Sequence, residues 1–160
     1  MLINYKNLEN INDVQVHDAA FKGFVYDFSK KLISFTVKNY SQSKKTLTVC
    51  FNNVFGLEMQ ACDFWAGGDV IVSWTPVDIQ SNLLYQNIIN NEFLSQSRVE
   101  DPDKMIGLLI TLNCGDEIMI LCEQIVIEET DIDEEELRRV EKEHDKRLKQ
   151  MSRLYNTSIS

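Results

Sequence analysis

The chain has 160 residues, of which 44% are hydrophobic and 26% charged, with a formal net charge of −9. That is the profile of one globular domain able to bury its own core. No apolar run reaches the roughly 18 to 20 residues of a membrane-spanning helix, and Met1–Asn10 lacks the basic-then-apolar order of a secretory leader, so no membrane association is expected.

The charge is unevenly spread. Residues 1–50 hold seven lysines against four acids, residues 51–130 two bases against thirteen acids, and residues 131–160 seven bases against eight acids. An acidic middle repels phosphate backbones, which argues against nucleic acid; it reads either as a solubilising surface or as a surface for a basic protein partner. Cys50, Cys62, Cys114 and Cys122 form no CxxC, and only two histidines could join them as ligands, so no metal site is expected. Reduced thiols in the cytoplasm are the expectation.

In chain order, residues 20–28 read as a strand pairing with 32–39 across Ser29–Lys31, with Gly23 marking a bulge or close backbone approach. Ile33, Phe35 and Val37 share one face. Leu47, Val49 and Phe51 alternate with Thr46, Thr48 and Cys50 in the next strand, a further strand covers 57–62, and Val70, Val72 and Trp74 share a phase after Gly67-Gly68. Residues 78–97 give a short helix, with Leu84 and Ile88 at helical spacing, then a loop through Pro102. The clearest hairpin pairs across Gly115-Asp116. It sets Ile106, Leu108, Ile110, Leu112, Ile118, Ile120 and Cys122 on one face, and Leu109, Met119, Leu121 and Ile125 on the other. Cys122 then falls opposite Leu108, too far from Cys114 for a bridge. Both faces are apolar, so both need covering.

The C-terminal segment offers a cover. Leu137, Val140, His144, Leu148, Met151 and Tyr155 recur at helical spacing as one stripe. Asp133 and Glu136 resemble a capping box, with acids early and bases late as the helix dipole favours.

Few residues suggest chemistry. His17 and Asp18 are adjacent on expected extended backbone, which points their side chains to opposite faces and keeps them from forming a dyad. His144 belongs to the helical stripe. There is no GxSxG, and no cysteine has a basic neighbour to activate it. Asp131, Asp133 and Glu135 superficially suggest a calcium loop, but Glu136 stands where that loop needs glycine, so the acids read as helix capping. Among the aromatics, Trp65 beside Gly67-Gly68 is the best partner anchor if it is exposed.

The stretches "VHDAAFKGFVYD", "LISFTV", "FNNVFGLEM" and "EIMILCEQIVIEE" resemble small bacterial β-rich proteins of the YxiG-like kind over residues 14–128, some of them suspected immunity proteins to toxins. The resemblance implies a cytoplasmic binding protein and brings no catalytic residues with it.

The expected architecture is mainly β (α+β). Residues 1–130 form an antiparallel sheet or sandwich of six to eight strands, and residues 131–160 form a long helix packed on it or on a second copy. The expected function is a non-enzymatic protein-binding module without cofactor, of the immunity type, meeting a basic partner or toxin through an acidic face. Its candidate interaction residues are Trp65, Asp63, Asp69, Trp74, His17 and Asp18. Two alternatives stand beside it: a small-molecule binder walled by Phe51, Trp74 and Leu109, and a homodimer joined through the helical stripe.

Overall fold

The computed structural model describes residues 1–60, 70–90 and 101–157. Ten strands form one antiparallel sheet: β1 (Leu2–Asn4), β2 (Ala19–Phe21), β3 (Val25–Asp27), β4 (Leu32–Asn39), β5 (Lys45–Asn52), β6 (Gly56–Gln60), β7 (Val70–Val77), β8 (Ile106–Leu112), β9 (Glu117–Cys122) and β10 (Gln124–Asp131). Among the described residues two α-helices accompany it, α1 (Leu83–Ile89) and α2 (Glu134–Thr157). The strand order is β1-β10-β5-β4-β2-β7-β8-β9-β6, with β3 paired to β4 beside β2. The mainly β, antiparallel architecture with a C-terminal helix is the expected one. The strand count exceeds six to eight because β1 was not foreseen and because segments expected to be continuous are broken at glycine and at bends.

Gly23 is one such break. It adopts φ +124°, open to glycine and strained for any residue with a Cβ. The pairing register with β4 slips by one residue across it, from Phe21↔Val37 to Val25↔Ser34.

A second break shapes the whole molecule. β5 runs on into β6 and β9 into β10, and the two chains pair on both sides of a common corner, through Asn52↔Gln124 and Gly56↔Leu121. Between those pairs, Asn53–Phe55 faces only Cys122–Glu123, so one strand carries an extra residue, as in a β-bulge. Asn53 takes the left-handed conformation, at φ +51°. Hydrogen bonds from Glu123 N to Asn52 O (3.2 Å) and from Phe55 N to Leu121 O (2.9 Å) hold the corner. The bend lets the sheet turn back on itself, and one core takes side chains from β1, β2, β4, β5, β7, β8, β9 and β10. Inward phase also changes there, from Ile118, Ile120 and Cys122 to Ile125 and Ile127. Ile125 is therefore in the core, not on the outer face the unbroken alternation predicts.

Two further registers differ from expectation. β7 carries a bulge between Ile71↔Leu112 and Ser73↔Thr111. It buries Ile71 and Trp74 while leaving Val72 40% exposed. The β8–β9 loop is Asn113–Gly115, with Gly115 at φ +89° and Leu112 N bonded to Asp116 O at 2.9 Å. Such three-residue loops place glycine at a left-handed position. Cys122 consequently faces Ile106, not Leu108.

The outer face of β8 and β9 is covered by α1, not by the C-terminal helix. Asn82 caps α1 by accepting from Tyr85 N at 3.2 Å. Tyr85 and Ile88 then pack with Met105, Met119 and Leu121, flanked by Leu84 and Leu109. Gly56 permits the approach, since a Cβ there would meet Ile88 Cδ1 at 2.8 Å.

α2 stands away from the sheet. Ile132 is buried just before it, but every described side chain from Glu141 to Ser152 is exposed, including Leu148 (51%) and Met151 (54%). Of the two expected placements for this helix, on its own sheet or on a second copy, the single chain leaves 141–152 off the sheet, and α1 covers the outer face of β8 and β9.

Candidate functional site

Two surfaces meet where β10 runs into α2. Seven of the nine residues from Glu128 to Glu136 are acidic, and none is basic. β10 buries Ile125 and Ile127 and then emerges, so Glu128 through Asp131 are exposed. Ile132 returns to the body, its N–H bonded to Lys44 O at 3.1 Å. Asp133 starts the helix, its carboxylate accepting from Glu135 N at 3.3 Å and its carbonyl from Leu137 N at 3.0 Å.

Glu136 does not close the expected capping box. Its two carboxylate oxygens accept from Lys38 Nζ, both at 2.8 Å, and Oε1 also accepts from Tyr40 Oη at 2.9 Å. Lys38, then Tyr40, lower the Glu136 pKa below the ordinary carboxylate value. Partial burial, then Glu136, raise that of Tyr40. Asp131 takes Lys45 Nζ at 2.6 Å. This clamp fixes the direction in which the helix leaves the sheet. It joins residues 96 and 98 positions apart, and only the outward phase of Lys38 on its strand hinted at it. Glu128, Glu129 and Glu135 have no ion pair among the described residues.

Beyond the clamp lies the helical stripe. Leu137 and Val140 are partly covered, while His144, Leu148 and Met151 are exposed. An open hollow of about 960 Å³ runs along the first turns and is lined by Glu135, Arg138, Arg139, Lys142, Glu143 and neighbours, with no apolar wall to hold a small molecule.

The other candidates fall in different places. His17 and Asp18 do meet, at 3.1 Å between Nδ1 and Oδ2. The opposed orientation predicted for them is corrected because Asp18 takes φ +63° and is not extended. That turn is held by Asn39, buried at 0% exposure, whose Nδ2 donates to His17 O at 3.0 Å. The pair is 59% and 54% exposed on an open surface. Among the described residues no group of three His, Cys, Asp or Glu side chains could hold a metal ion.

Trp74 is corrected from interaction residue to core residue: it is 6% exposed, and its indole N–H donates to Ile11 O at 3.2 Å. Trp65, Asp63 and Asp69 lie outside the described residues. Phe51, Trp74 and Leu109 share no wall, because the first two are inside the core and Leu109 belongs to the outer layer under α1. Cys50, Cys114 and Cys122 are free thiols, and burial pushes the Cys122 thiol far above its usual range. Sequence reading missed the β3 rim, where Val25 and Phe28 are each 69% exposed and the Tyr26 and Phe28 rings lie 5.4 Å apart, tilted by 58°.

No helix among the described residues is long and apolar enough to cross a membrane. Comparison with protein-family models finds no match, and comparison with curated proteins finds none either.

Proposed function

We propose that the chain is a non-enzymatic protein-binding module that meets a basic protein partner through the acidic rim from Glu128 to Glu135. One observation carries this reading. The rim's carboxylates stand together in one stretch of chain: Lys45 engages Asp131 and Arg138 engages Glu134, while Glu128, Glu129, Asp133 and Glu135 have no ion pair among the described residues. Uncompensated charge on a rigid ridge steers an oppositely charged partner and fixes its register. The resemblance over residues 14–128 to YxiG-like proteins supports an immunity-type role in the cytoplasm, where the partner is a basic toxin.

The test is direct. Captured from the host lysate, basic proteins should bind the native chain at low ionic strength and release as salt rises, since exposed charge contacts are screened. The double variant E128K/E129K should weaken that binding at least about tenfold, the effect of roughly 1.4 kcal/mol. Binding that ignores both salt and the charge reversal would contradict the reading.

A further inference from the structure

We infer that α2 is an antiparallel dimerisation arm that pairs with α2 of a second copy of this chain, centred on His144. The inference goes beyond the acidic rim and uses a different surface.

A solvent-facing helix draws little stability from propensity alone, and in proteins the packing of its apolar face supplies most of it. Here α1 occupies the outer face of the sheet, so His144, Leu148 and Met151 of the α2 stripe have no cover among the described residues. From Leu137 to Met151 the stripe is mirror-symmetric along the chain. Leu137 and Met151 each lie seven residues from His144, and Val140 and Leu148 each lie four. A two-fold interface requires residue i to meet j while j meets i. Antiparallel pairing about His144 satisfies this with apolar partners on both sides of a central His144 pair, setting Leu137 on Met151 of the second copy and Val140 on its Leu148. A parallel pair would make no use of the mirror spacing.

Charge selects the same orientation. Residues 146–153 contain Lys146, Arg147, Lys149 and Arg153 and no acid, whereas the rim and first helical turn contain acids and no base. Antiparallel pairing about His144 sets 146–153 of one copy against 135–142 of the other, where Glu135, Glu136 and Glu141 balance Arg138, Arg139 and Lys142, and it opposes the two helix dipoles. Parallel pairing would set like beside like. Glu143 of one copy and Arg147 of the other come together on one flank, while Glu141 and Asp145 lie on the other flank, open to solvent, where like charges cost little. From Leu137 to Tyr155 the stripe advances 18 residues in five steps, the 3.6-residue period of an undistorted α-helix. The two arms therefore pair as straight rods without supercoiling. Glu128 and Glu129 precede the helix and remain available to a basic partner.

Sedimentation equilibrium of the full chain at high micromolar concentration tests this. A dimer is expected. The L148D/M151D variant, altered only at side chains exposed in the single chain, should keep its β-sheet circular dichroism while its dissociation constant rises at least about hundredfold. Mixing L137C and M151C chains under mild oxidation should give the mixed disulfide. A wild-type monomer would overturn the inference, as would a dimer untouched by L148D/M151D or a preferred disulfide between two L137C chains. Loss of dimer with retained binding of basic proteins separates this arm from the acidic rim.

Discussion

The sheet body and the C-terminal helix are both amphipathic, yet they end differently. In the body, every inward face finds another part of the same chain: Phe51 and Ile110 are fully buried in the core, and Tyr85 and Ile88 of α1 cover Met119 and Leu121. In α2 the stripe is as regular, but Leu148 and Met151 meet only solvent. The difference teaches that an apolar pattern states that a face needs a cover and does not say what the cover is. A seven-residue helix with only two buried residues, Tyr85 and Ile88, occupies the face that the spacing of the 24-residue helix also fits.

Substitutions in the two regions should differ accordingly, and the largest effect belongs to the body. Phe51→Ala, deleting a ring that is 0% exposed, should lower the unfolding free energy by about 3–5 kcal/mol in chemical denaturation. Gly23→Ala tests the bend between β2 and β3. Nothing lies within 4 Å of the added Cβ, so its cost is backbone strain alone, about 1–3 kcal/mol at this positive φ. An unchanged stability would mean that the break is not built on that glycine.

The clamp between the two regions should respond to acid. The folded Glu136 pKa lies below its unfolded value, so its contribution is complete above the ordinary carboxylate pKa of about 4.3 and is lost as pH falls through the lower folded value. Acidification through that window should loosen the start of α2, read as faster amide exchange at 134–140, and Glu136→Gln should abolish the response. The smallest effect is expected for Leu148→Ala in dilute solution, within about 0.5 kcal/mol of the parent's stability. A loss of several kcal/mol there would place the stripe against its own sheet and erase the contrast.

Much of the fold was legible because period-two alternation and turn residues are local signals. The inward phases of β4, β5, β8 and β9 and the helical spacing of α2 could all be read directly. What escaped was set by events that alternation cannot register. The bulge at Val72 rotated half of β7, and the paired bend at Asn53 and Glu123 inverted the phase of Ile125. The site was less legible for a related reason. His17 and Asp18 were paired by a positive φ at a non-glycine residue, which no neighbouring residue announces. The Lys38–Glu136–Tyr40 clamp spans nearly a hundred positions and depends on where strands end. Alternation put Trp74 in one phase with Val72, which the bulge separates, and Trp74 is buried with its indole N–H reaching Ile11 O instead of facing a partner.

Hydrogen exchange across the full chain at two concentrations tests the central claim most directly, namely that the sheet closes its core without the C-terminal helix. The account expects β4, β5, β8 and β9 to be strongly protected at either concentration, while amides 141–152 exchange rapidly in dilute protein and slow as the chain is concentrated. Protection of 141–152 equal to that of the strands in the dilute monomer would contradict it.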